Sequence, residues 1–349
     1  MESLAEDRPM PMSALVFTAA LAFAQPAPAP APPAPAPLEL EVSPIVDLHF
    51  WVRKMAEQKG ELPAVAGLPE AVAAAKAFQT ELGPGALWGI FEGNFVGLES
   101  AADLLATAEK LPEAAQMFSG RTIKLREAAV RLARSYVTLE KPFLERVWPR
   151  HREAIEGMAA QVRRDLLPKA PQVYEDLARH LDVPVPSRPI PVYLTAEGPW
   201  PGAVTARTAG NTGVCFVAAD VAQGSQRVET VVHETIHALD VMAGEGSVLG
   251  ALRKRIARED LRDFPHTVMF VQAAGTVRKV LFPEHKDYGD VEGYYAKVPR
   301  ASAVVVPAWR AYLAGEISRD EALNRIAALS NEKGGPKAAP EKPPKGVGF

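Results

Sequence analysis

The chain has 349 residues, with 39 Lys and Arg against 42 Asp and Glu, for a formal net charge of -3. That balance excludes the strongly basic face by which proteins grip nucleic acid. A hydrophobic share of 48% with 23% charged residues excludes a wholly disordered chain and a polytopic membrane protein. The one cysteine, Cys215, excludes an intrachain disulfide and a cysteine-based metal cluster.

Residues 13–24 form a short apolar stretch ending in Ala22-Phe23-Ala24. It is shorter than the ~20 apolar residues that span a bilayer. It reads as a secretory signal in residues 1–24, cut before Gln25. The expected location is periplasmic or secreted, with no stable membrane span after cleavage. A cytoplasmic protein with an Ala/Pro-rich leader is the alternative. Residues 25–37 are a Pro/Ala-rich spacer, stiff and unable to pack a core. At the other end, residues 331–349 are rich in Pro, Gly and Lys and are expected to be disordered.

Residues 38–182 form the helical N-terminal region. From Ser43 on, apolar residues recur at three and four. Pro63, Pro69, Pro84 and Pro112 divide the segment, each near an expected helix start. The pattern changes after Val183. Residues 190–195, 203–206 and 213–218 read as strands, with Cys215 a small buried hydrophobe in the last. The last of them is expected to be edge-like. The helical period then returns. The fold class expected is α+β, mostly helical, with a small mixed sheet and an active-site helix in residues 183–330.

That helix carries the motif with chemistry in it. From Ser225, the expected N-cap, to Gly244, the expected C-cap, it contains His233-Glu234-Thr235-Ile236-His237. Residues four apart share a helix face, so both imidazoles can point at one ion. Glu234 then lies beside the ion, where a carboxylate can take a proton from an attacking water. Asp240 follows on the same face, either as an acceptor that orients an imidazole or as a helix-end carboxylate. A catalytic zinc needs a third protein ligand. The residues after His237 do not continue as H-x-x-G-x-x-H, so that ligand comes from a later element. His266 is the first choice. It shares a helical stripe with Phe270, Ala273 and Val277, which turns the imidazole inward. Glu259, Glu284, Glu292 and His285 are the rivals. For the oxyanion of an attacked carbonyl, the segment around Tyr288, Tyr294 and Tyr295 offers donors, with Tyr288 selected and His285 also at hand. Residues 307–326 read as a helix, a turn at Gly315 and a second helix capped by Ser318.

With these residues in place, the chain resembles the zincin metallopeptidases over about residues 190–324. It is also similar to a group of largely uncharacterised exported bacterial zinc hydrolases, through HTVMFVQAAGTVRKV and PAWRAYLAGEISRDEAL. In that group a histidine begins the second helix, so the resemblance favours His266 over Glu259. Gluzincins use a glutamate there, and metzincins use the longer motif missing here. What the resemblance implies is zinc and hydrolysis, not a particular substrate. Residues before about Val183 gain nothing from it.

The expected function is an exported zinc metallopeptidase acting on a peptide or protein substrate, with Zn2+ on His233, His237 and His266, Glu234 as general base and Tyr288 as oxyanion donor. The alternative is a cell-envelope binding or scaffolding protein with a structural or degenerate metal site.

Overall fold

The computed structural model describes residues 37–82, 86–116, 122–199 and 201–332. The expected leader, most of the spacer, Pro84 and the tail from residue 333 lie outside the described residues. The chain begins with strand β1 (Leu38–Val42), then α1 (Pro44–Glu57), α2 (Leu68–Leu82), α3 (Ala86–Glu92) and α4 (Ala101–Ala108). A two-residue pair, β2 (Ala115–Gln116) with β3 (Thr122–Ile123), leads to the long helices α5 (Leu125–Arg146), α6 (Trp148–Asp165) and α7 (Ala170–Leu181). Strands β4 (Ile190–Thr195), β5 (Ala203–Arg207) and β6 (Gly213–Ala218) follow, then α8 (Gly224–Ala243), α9 (Val248–Arg255) and α10 (Asp263–Val280). Two short helices, α11 (Tyr288–Val291) and α12 (Tyr294–Lys297), precede α13 (Pro299–Leu313) and α14 (Arg319–Asn331). The architecture is α+β and mostly helical, as the sequence pattern implies.

Four strands make one mixed sheet in the order β1-β4-β6-β5. β1 and β4 are parallel, β4 and β6 are parallel, and β5 runs antiparallel to β6. This corrects the expected edge. The strand at 213–218 is interior, and β5 is the free edge next to α8. Every residue of β6 is buried, as both-face burial of a central strand requires. β5 is only partly covered. A further difference is β1, which places residues 38–42 in the sheet, not in a helical region.

The sheet is a wall between two cores. One face packs Val192, Leu194, Cys215 and Val217 against α6, α7, α8, α10 and α13. The other packs Tyr193, Val204, Ala206, Val214 and Phe216 against α1, α2, α3 and α5. Period-two alternation sends successive side chains of each strand to opposite cores. α6 and α7 thus share a core with the helices that follow the sheet, and packing does not break at residue 182.

Buried polar pairs fix the layers. Asp176 of α7 accepts from Thr276 (2.8 Å) and Lys279 (2.6 Å) on α10. Burial pushes its carboxyl up, but bonds from His180, Lys279 and Thr276 outweigh burial and hold it well below the usual carboxylate range. A carboxyl depressed in the folded state adds stability above its unfolded pKa and loses it as pH falls. Asp176→Asn is therefore expected to cost about 1–3 kcal/mol at neutral pH. In urea denaturation the gap to the unaltered chain should begin to shrink below about pH 4 and go on shrinking as the pH falls further. A gap that stays constant down to low pH would show that the charge is not what matters.

Candidate active site

α8 lies against β5 and β6 and carries the motif. Its approach is close because Gly213 faces Ala238: a Cβ at Gly213 would sit 2.3 Å from the Ala238 Cβ. The helix ends where expected, at Gly244, with φ +58° and its N–H on the Asp240 carbonyl. Its start differs. Gln223 is the N-cap, and the Ser225 hydroxyl bonds instead to His285 Nδ1 at 2.8 Å.

The three expected histidines converge. His233 Nε2 is 3.1 Å from His266 Nε2 and 3.2 Å from His237 Nε2. The three donor atoms all lie within 4.8 Å of one another, a group that can hold a metal ion. Ligands ~2.0–2.1 Å from a tetrahedral ion lie ~3.3 Å apart, so the observed spacing fits such an ion. The protonation states fit as well. Burial first, then the neighbouring imidazoles, holds His233 well below its ordinary value. Burial with Arg253 lowers His237 to about 4, and burial with His237 and Arg262 lowers His266 to about 3. All three rings are neutral at pH 7, as metal ligands must be.

Two of the rings, His233 and His266, have their own support. His233 stacks on Phe270, ring centroids 3.9 Å apart. The other face of the stack is Tyr294, whose ring is 4.1 Å from Phe270. The Tyr294 hydroxyl lies 3.1 Å from His266 Nδ1. If Nε2 serves a metal, Nδ1 carries the proton and donates to Tyr294. Tyr294→Phe is thus expected to weaken metal binding by ~10–100-fold in a chelator competition, while Tyr288→Phe leaves it unchanged. Equal affinities in all three proteins would assign the orientation of His266 to packing alone.

Glu234 is 5% exposed. The Thr205 hydroxyl, on the edge strand, is 2.7 Å from its Oε2 and donates to it. Burial raises the carboxyl to about 7, against the opposing pull of Thr205. A carboxylate near neutrality, on the residue that follows His233, suits proton transfer at ordinary pH.

The other candidates fall elsewhere. Glu259, Glu284 and Glu292 are exposed. His285 is buried, but its Nε2 pairs with Glu229 at 2.7 Å. Glu229 also accepts the Tyr288 N–H at 2.6 Å, which fastens the Tyr288 segment to α8 one turn before His233. Asp240 orients no imidazole. It accepts from Ser247 at 2.9 Å and from Arg253. Tyr288 is half-buried with its ring stacked on Phe270 at 5.7 Å. Burial, then Glu292, Glu229 and Glu234, pushes its hydroxyl up to about 12. Thr205 and Glu229 were not legible as site residues. A threonine in a short strand and a glutamate in a helix carry no spacing signal.

Beside the edge strand opens a cleft of about 1110 Å³, lined by β5, by Phe50, Arg53, Trp88 and Glu92 from the N-terminal helices, and by Val241 and Arg262 from the histidine side. No protein-family model, no curated protein and no solved structure matches the chain.

Proposed function

We infer that the chain is an exported zinc-dependent hydrolase of peptide bonds. The observation that carries this reading is the convergence of three neutral Nε2 atoms beside a buried carboxylate of raised pKa, next to a free strand edge. The zincin-like motif and the apolar stretch at residues 13–24 support it from the sequence. Among the described residues no helix is long and apolar enough to cross a membrane.

His233, His237 and His266 would hold zinc, since three imidazoles suit that ion. When bound, zinc supplies a Lewis acid that makes water acidic and polarises a carbonyl. Glu234 takes a proton from the attacking water and passes it to the leaving amine. Thr205 holds one carboxylate oxygen and so fixes the direction of that transfer. Tyr288 is the oxyanion donor in this reading, its ring stacked on the same Phe270 that His233 stacks on. The peptide backbone pairs with β5, the edge strand of the sheet.

The test is direct. The purified chain is loaded with zinc or stripped with a chelator, and metal content and hydrolysis of casein and quenched peptides are measured. Stoichiometric zinc with chelator-sensitive cleavage is expected. Retained zinc with no cleavage of any peptide would overturn the reading.

A further inference from the structure

The open edge of β5 is short. In an antiparallel pair, alternate residues point their backbone groups at the partner strand. Gly202 O accepts the Ala218 N–H and Thr208 N–H donates to Thr212 O, each at 2.8 Å. The even-numbered residues of β5 therefore face β6, and Ala203, Thr205 and Arg207 face outward. The Arg207 carbonyl is already covered, because a Cβ on Gly93, just after α3, would lie 2.1 Å from it. Ala203 and Thr205 remain open to an incoming strand.

α8 runs along β5 and gives the distance to this block. Glu234 lies under Thr205. Ala238, one turn later, lies under Gly213, the partner of Arg207. The block is thus one helical turn, ~6 Å, past the carboxylate. At ~3.3 Å per residue, an extended peptide has room there for about two residues.

Charge at the closed end is positive. Arg207 is exposed, and strand alternation puts its side chain on the Thr205 side of the sheet. Arg262, four residues before His266, lines the same cleft on the histidine side and pairs with Asp263 at 3.8 Å. The other charged groups lining it are Glu57, which has its own partner, and Arg53 with Glu92, which bond to each other. His49 holds the same Glu92 oxygen at 3.1 Å. A guanidinium at the end of a two-residue channel suits a carboxylate.

We propose that the substrate is a peptide held by its carboxyl end, its terminal carboxylate against Arg207, and cut one or two residues from that end. The proposal rests on the peptidase reading. Water adds across the C–N bond: the carbonyl carbon takes the hydroxyl, and the amine of the released amino acid or dipeptide takes the proton.

The test uses the zinc-loaded full chain and one unstructured peptide in three forms: free termini, N-acetylated and C-amidated. Products are identified by mass spectrometry. The free and acetylated forms should release one- or two-residue carboxyl-terminal fragments at similar kcat/KM, with the amide at least ~tenfold slower. Arg207→Gln should bring the free and amidated forms close to equality. In Glu234→Gln, added free peptide should slow hydrogen exchange at the Thr205 N–H, and the amide should do so only at higher concentration. Internal cuts, release from the amino end, or equal rates for free and amidated peptides would overturn the proposal and leave a peptidase. Neither cleavage nor binding of any form would remove the peptidase reading and the proposal with it.

Discussion

Glu234→Gln should retain zinc and lose hydrolysis. General acid–base groups of this kind contribute ~10²–10⁴-fold, so a loss within that range is expected in kcat. Gln has nearly the shape of Glu, and its amide oxygen can still accept from Thr205, which holds the carboxylate at 2.7 Å. The three imidazoles keep their positions, so metal content should match the unaltered chain. Stability should hold or rise. A carboxyl that is 5% exposed is costly to ionise, and an amide removes that cost. The three measurements are metal analysis, initial rates on a quenched peptide and thermal melting. Loss of zinc together with activity would mean that the carboxylate supports the ligands and not the proton transfer. Activity within twofold of the unaltered chain would remove Glu234 from the mechanism.

His266→Ala has the second large effect. It deletes one of three donors, leaving a helical pair that offers only two. Removing even a partner of a metal ligand costs ~10–100-fold in affinity, so deletion of the ligand itself should exceed the upper end of that range. The side chain also touches Phe270 and Tyr294, with ring centroids at 5.0 Å and 5.4 Å, so part of the aromatic stack loosens. His266→Gln keeps more of the volume and separates packing from ligation. Both variants should fail to hold zinc against a moderate chelator. Glu259→Ala and Glu292→Ala, at exposed positions, should bind like the unaltered chain. A Glu259 variant that lost zinc while a His266 variant kept it would reverse the assignment.

The helix with the paired histidines was readable because its signal is local. Two histidines four apart share a face in any helix, whatever surrounds it. His266 was readable for a weaker reason: its place in the Phe270 stripe showed which way it points, and nothing else on the exposed charged segment before it did. What escaped was set by partners distant in sequence. The apolar run at 213–218 reads as an edge from its place just before the helix, although continuous burial is the mark of an interior strand. AVTAR, with fewer apolar residues, is the real edge. Thr205 gains its role only because β5 crosses α8 at Glu234, 29 residues away. LELEV is a short alternating segment behind a run of prolines, and its partner, β4, lies about 150 residues downstream.

β1 is the outermost strand on the side away from the cleft, and it clasps β4 through five register pairs. A version starting at Ser43 would strip β4 of its cover and bare a row of unpaired amides and carbonyls beside Val192 and Leu194. Bare edges of this kind recruit strands from neighbouring molecules. Such a truncation should give soluble clumps or inclusion bodies even though every residue of the histidine cluster is still present.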